Sequence, residues 1–147
     1  MPRQALVIHE RLGVWARQLR PRLASWPIRW TETRSAADLE AALARLCCPI
    51  VVLDLADRPR SRLEDLDRVA RAAPDALVLV LDPAEHAGVT TLARALGATL
   101  VLSGVVAPPV VATRLDRWLR LARRRSEADG WSADPTPERP PFDLFRP

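Results

Sequence analysis

The chain has no lysine, and this absence alone rules out Schiff-base chemistry and the phosphate-binding lysine of a P-loop. All 22 of its basic residues are arginine. Tyrosine is missing too, and no helix-turn-helix, zinc-finger or aromatic RNA-binding motif is visible, so nucleic acid is not the favoured partner. No apolar run approaches the roughly 18 residues a membrane helix requires. The N-terminal Met-Pro-Arg-Gln leads into only a short apolar stretch, without the hydrophobic region or cleavage site of a secretory signal. A cytoplasmic location without membrane association is therefore expected. Cysteine is limited to the adjacent pair Cys47 and Cys48. A vicinal pair suits neither an ordinary disulfide nor zinc, so both are expected to be small buried side chains entering a strand.

What is present points to one folded domain. The 147 residues are 48% hydrophobic and 27% charged, which is a globular composition of single-domain length. The net charge of +4 is unevenly placed. Residues 126–147 hold two Arg and five acids, which leaves 20 Arg against 13 acids in residues 1–125. A basic domain over 1–125 and a Pro-rich, acidic, disordered tail over 126–147 are expected.

Apolar patterning alternates between strand and helix. Ala5–Ile8 reads as a first strand, and Leu12, Trp15, Leu19 and Leu23 follow at helical spacing. Ile28–Thr31 is a short second strand. Ser35 with Asp38 resembles a capping box ahead of the stripe Leu39, Leu43 and Leu46. Residues 49–55, Pro-Ile-Val-Val-Leu-Asp-Leu, form the continuous apolar run of a central parallel strand. Ser61 with Glu64 resembles a second capping box, opening a helix with Leu66, Val69, Ala70 and Ala73 on its apolar face. Ala76–Leu81 is a fourth strand. Val89, Leu92, Ala93 and Leu96 mark a helix that Gly97 ends, and Thr99–Leu102 is a fifth strand. Beyond Pro108-Pro109, Val111, Leu115, Trp118, Leu119 and Ala122 mark the last helix, which carries Arg114, Arg117, Arg120 and Arg124. Five strands alternating with five helices argue an α/β doubly wound, five-stranded parallel sheet with helices on both faces.

In such a sheet function collects at the carboxyl ends of the strands. Those ends deliver His9, Glu10, Asp54, Asp82, Ser103 and Gly104. The first of them is followed by His-Glu-Arg-Leu-Gly, which is not a glycine-rich phosphate loop, so no nucleotide cofactor is expected.

By the order and spacing of these residues, the chain resembles the receiver (CheY-like) domains of bacterial response regulators. Asp54, at the end of Ile-Val-Val-Leu-Asp-Leu, looks like their phosphoacceptor. The resemblance implies the flavodoxin-like strand order 2-1-3-4-5 and a partner surface on the fourth helix, fifth strand and fifth helix. It also exposes departures. His9 stands where one of two metal-holding acids is typical. Asp82 replaces a Ser or Thr, and Ser103-Gly104 replace the Lys and the Pro that usually follows it.

A phosphoryl group adds about −1.5 to −2 charge. In this crevice it would meet Glu10 and Asp82 with one imidazole as counter-charge, a like-charge arrangement that disfavours it. A non-catalytic pseudo-receiver is therefore expected: a protein-interaction module in two-component signalling, not an enzyme. Its partner would be another protein or a second copy, steered by Arg114, Arg117, Arg120 and Arg124. Trp131, Phe142, Leu144 and Phe145 would form a docking motif in the tail. No metal is expected; one would have to be held by Glu10 and Asp54. The favoured alternative to a site is that His9 and Asp82 turn to solvent while Asp54 accepts backbone N–H bonds in its own turn. Competing functions are a single-domain response regulator phosphorylated at Asp54 and a basic nucleic-acid-associated protein.

Overall fold

The computed structural model describes residues 3–56 and 58–132, of which 129–132 are described by backbone alone. Ten elements alternate: β1 (Gln4–His9), α1 (Val14–Arg22), β2 (Ile28–Thr33), α2 (Ala36–Leu43), β3 (Ile50–Asp54), α3 (Pro59–Ala72), β4 (Leu77–Asp82), α4 (Val89–Ala95), β5 (Leu100–Ser103) and α5 (Pro108–Ser132). The strands form one parallel sheet in the order β2-β1-β3-β4-β5, the expected doubly wound arrangement.

Alternation of side chains along the strands divides the core into two layers. Leu6, Ile8, Ile50, Val52, Leu79 and Leu81 pack on one face with Leu19 of α1 and Leu115 and Leu119 of α5. Val7, Val51, Leu53, Val78 and Val80 face the other way, against Leu39 of α2, Leu66 and Val69 of α3, and Ala93 of α4. Burying a leucine in this way contributes about 1.5–3 kcal/mol. Two covered faces explain why the central strands read as unbroken apolar runs.

Several local expectations are corrected. Leu12 precedes α1 and is 70% exposed, and Leu92 of α4 is also exposed. The Ser35–Asp38 capping box is present in full, but Ser61 does not cap α3. That helix starts at Pro59 with Arg58 as N-cap and no side-chain cap bond, because proline's fixed φ suits a first helical position and begins the helix earlier. Cys47 and Cys48 are exposed, not buried. Cys48 takes a left-handed φ of 45°, so the pair turns at the surface ahead of β3. Finally, α5 continues past Arg125 to Ser132, so the first residues of the expected tail are helical. The Trp131 side chain, Phe142, Leu144 and Phe145 lie outside the described residues. No helix among the described residues is long and apolar enough to cross a membrane.

Candidate functional site

Parallel register brings the strand ends to one edge of the sheet: His9 opposite Leu53, Asp54 opposite Leu81, and Asp82 opposite Ser103. All six expected positions therefore lie along that edge, but their side chains do not form one cluster. Each is taken up by a different neighbour.

Glu10 is buried and turned toward α1. Its Oε2 accepts from the Trp15 backbone N–H at 2.8 Å and its Oε1 from that of Ala16 at 3.1 Å. The N-cap of α1 is Gly13, which has no side chain to offer. Glu10 therefore supplies the capping carboxylate that the N-terminal N–H groups and the helix dipole call for.

His9 is 0% exposed, and so is Asp82; neither turns to solvent. The His9 ring places Nδ1 2.7 Å from Thr33 Oγ1 and Nε2 2.8 Å from Asp65 Oδ2, with the Arg62 guanidinium against the same Nε2. Burial holds its pKa below the ordinary 6.5, opposed by the hydrogen bond to Asp65 and reinforced by the Arg62 charge. The ring is therefore neutral at pH 7. One tautomer donates to Asp65 and accepts from the Thr33 hydroxyl, while the other donates to Thr33 and accepts from Arg62.

Asp82 is gripped by His86, a residue that the sequence reading passed over. Its Oδ1 lies 2.6 Å from His86 Nδ1, and its Oδ2 accepts from the His86 backbone N–H at 2.9 Å. At the position the resemblance assigns to lysine, the Ser103 hydroxyl is exposed and lies 3.0 Å from Thr90 Oγ1. Gly104 has φ 85°, and a Cβ there would stand 2.8 Å from Glu85 Oε1. That is a left-handed turn with a carboxylate against it, where glycine fits best.

Asp54 remains partly exposed at the end of β3. Its Oδ1 accepts from the Ala56 N–H at 2.9 Å, which is the turn-closing role expected for it. Burial raises its pKa above 3.8 and the Asp82 charge adds to this; the Ala56 N–H, the Trp15 side chain and the Arg62 charge oppose. The counter-charge is thus larger than sequence suggested. Arg62, only 8% exposed, supplies it. In sequence Arg62 reads as part of the polar face of α3.

A hard divalent cation wants several oxygen ligands at 2.0–2.6 Å. The residues present do not fit one: the Glu10 carboxylate holds a helix end, Asp82 is engaged by His86, and His9 is a nitrogen donor locked in its own network. Among the described residues no group of three or more His, Cys, Asp or Glu could hold a metal ion.

No protein-family model matches the chain, and no curated protein matches it. Solved structures do. A CheY-like response regulator receiver domain from Methanospirillum hungatei JF-1 superposes with a TM-score of 0.71 at 10% identity, over 84% of this chain and 99% of that one. A response regulator from Burkholderia pseudomallei, solved with a phosphorylated aspartic acid, a calcium ion and citrate, gives 0.65 at 15% identity, over 86% and 74%. A pilus assembly protein from Burkholderia thailandensis gives 0.61 at 19% identity, over 79% and 97%. At these identities the likeness establishes the receiver fold.

Proposed function

We propose that this chain is a receiver-like docking module without phosphotransfer chemistry of its own, which works by binding a protein of acidic surface. The observation that carries this reading is the fate of Glu10. The acid that follows β1, which would have to hold a metal together with Asp54, is bound by two backbone N–H groups of α1, so phosphorylation of Asp54 would have to proceed without the metal and lysine on which receiver phosphotransfer depends.

The docking half draws support from α5. Val110, Arg114, Arg117, Leu121 and Arg124 recur at helical spacing on its exposed side, opposite the buried Val111, Leu115 and Leu119. The 94% exposed Val105, just before α5, adds apolar surface next to it. Arg120 is partly spent on Asp116 at 3.0 Å, so Arg114, Arg117 and Arg124 are the cations offered to an acidic partner. An apolar stripe rimmed by arginine is the composition of a protein interface.

Incubation with acetyl phosphate and magnesium, read by intact mass, is expected to leave the chain unmodified. A magnesium-dependent adduct that Asp54→Ala abolishes would overturn the reading. Sedimentation of the same sample is expected to show a monomer, because facing copies of the stripe would set like charges together, and a dimer that Val110→Glu with Leu121→Glu dissociates would make the partner a second copy instead.

A further inference from the structure

Just ahead of β3, the connection from α2 places Cys47 and Cys48 side by side at the surface. Along an extended chain successive side chains point to opposite faces, so a pair that simply entered the strand would hold its sulfurs apart. Here Cys48 takes a left-handed φ of 45°, and the turn brings the two sulfurs together. The Cys47 thiol donates to Cys48 Sγ at 3.8 Å.

That backbone is not the one these residues adopt by themselves. A left-handed φ is unfavourable for a residue with a Cβ, and a residue ahead of a proline, here Pro49, is biased toward extended backbone. The surroundings hold the turn instead. Gln4 Nε2 donates to the Cys48 carbonyl at 3.1 Å. The buried Pro49 accepts from the Leu77 N–H at 3.2 Å, which pins the next residue to the sheet. Backbone strain kept in place in this way clusters at functional positions.

We propose that Cys47 and Cys48 form a modification site: a peroxide closes them to a vicinal disulfide, which thiols reopen. One thiolate attacks a peroxide oxygen and becomes a sulfenic acid, while the O–O bond breaks and water or an alcohol leaves with the first thiol's proton. The second thiolate then attacks that sulfur, the S–S bond forms, and the hydroxyl departs as water with the second thiol's proton. Two electrons pass from the sulfurs to the peroxide. Proximity favours this second step over further oxidation, because the resolving sulfur already lies in contact.

The same geometry makes the bond labile. The peptide between the two cysteines is trans, which sets their Cα atoms about 3.8 Å apart, below the roughly 4.4–6.8 Å that disulfides favour. A strained, exposed disulfide is easily reduced, where a structural one resists glutathione. The site lies at the opposite end of β3 from Asp54 and rests neither on the docking surface nor on the role of Glu10.

The test is intact mass of the full chain after hydrogen peroxide treatment and alkylation of the remaining thiols with N-ethylmaleimide. The parent is expected to lose about 2 Da and take up no maleimide, at a rate independent of protein concentration. Reduced glutathione is expected to restore both alkylation sites. Cys47→Ser and Cys48→Ser, each a one-atom change at an exposed position, are expected to show no such loss. Each should instead form a sulfenic acid that dimedone traps about tenfold or more above the parent, since its resolving thiol is gone. Equal trapping in parent and variants, sulfinic acid at both cysteines without the disulfide, a disulfide between two chains, or a closed form that glutathione leaves intact would overturn the proposal.

Discussion

Replacing Glu10 by alanine distinguishes a capping carboxylate from a metal-site one by the sign of its effect. In the structure this carboxylate accepts two backbone N–H bonds, at 2.8 and 3.1 Å, from the first turn of α1, and no side chain at Gly13 can substitute. Loss of a helix cap costs about 0.5–2 kcal/mol, and leaving a buried N–H without a partner about 1–3 kcal/mol. These contributions overlap, so Glu10→Ala should destabilise by about 2–4 kcal/mol, a fall in Tm of roughly 8–16 °C for a domain of this size. Glu10→Gln, which keeps an acceptor oxygen but loses the charge, should lie between it and the parent. Had Glu10 instead pointed toward Asp54 and Asp82, its removal would relieve repulsion of roughly 1–3 kcal/mol between neighbouring carboxylates, and the variant would be more stable. Urea denaturation followed by far-ultraviolet circular dichroism at pH 7 measures the difference directly. An alanine variant as stable as the parent, or more so, would refute the capping assignment and with it the main argument against metal binding.

Two further predictions concern titration. Burial raises the Asp54 pKa above 3.8 in the folded chain, so the native state holds this proton more tightly than the unfolded state, and stability falls as pH rises through that interval. Asp54→Asn, which keeps an acceptor for the Ala56 N–H, should be the more stable protein at pH 7, with an advantage that shrinks toward pH 4; urea midpoints at the two values check this, and a constant difference would refute it. His9 has the opposite sign. Its pKa is lowered from 6.5, chiefly by burial, so the unfolded state binds the extra proton and stability falls as pH drops below 6.5. A proton NMR titration that put the midpoint of the His9 ring at or above 6.5 would contradict this.

The frame of the fold was legible because two-sided burial leaves a plain record in sequence. The run Ile50–Leu53 could be nothing but apolar with a core on each face, and the stripe Val111, Leu115 and Leu119 could only be the inner side of a helix. What sequence hid was pairing across the fold. Arg62 lies one turn into α3 among charged neighbours and looks solvated, yet it crosses to His9. His86 follows Asp82 by four residues in a loop, and no periodicity says that its ring and backbone N–H both return to that carboxylate. The Ser61–Glu64 spacing misled because a nearer proline begins the helix first.

These pairings also bear on whether receiver chemistry could be introduced by single substitutions. An acid at position 9 would leave the Thr33 hydroxyl and the Asp65 carboxylate facing a second anion in a buried site, and an unpaired buried charge costs far more than a solvated one. A lysine at position 103 would not inherit an open carboxylate from Asp82, because His86 already holds both of its oxygens, and Glu85 against Gly104 would compete for the new ammonium. A serine at position 82 would lose the carboxylate that both the ring and the backbone N–H of His86 now hold. Two of the positions that differ from the receiver pattern are thus held by neighbouring side chains, His9 by Arg62 and Asp65 and Asp82 by His86, while Gly104 stands against Glu85. Residues in contact within each of these groups are the ones expected to couple, so a substitution at His9 or Asp82 is read together with one at its partner, in a double-mutant cycle.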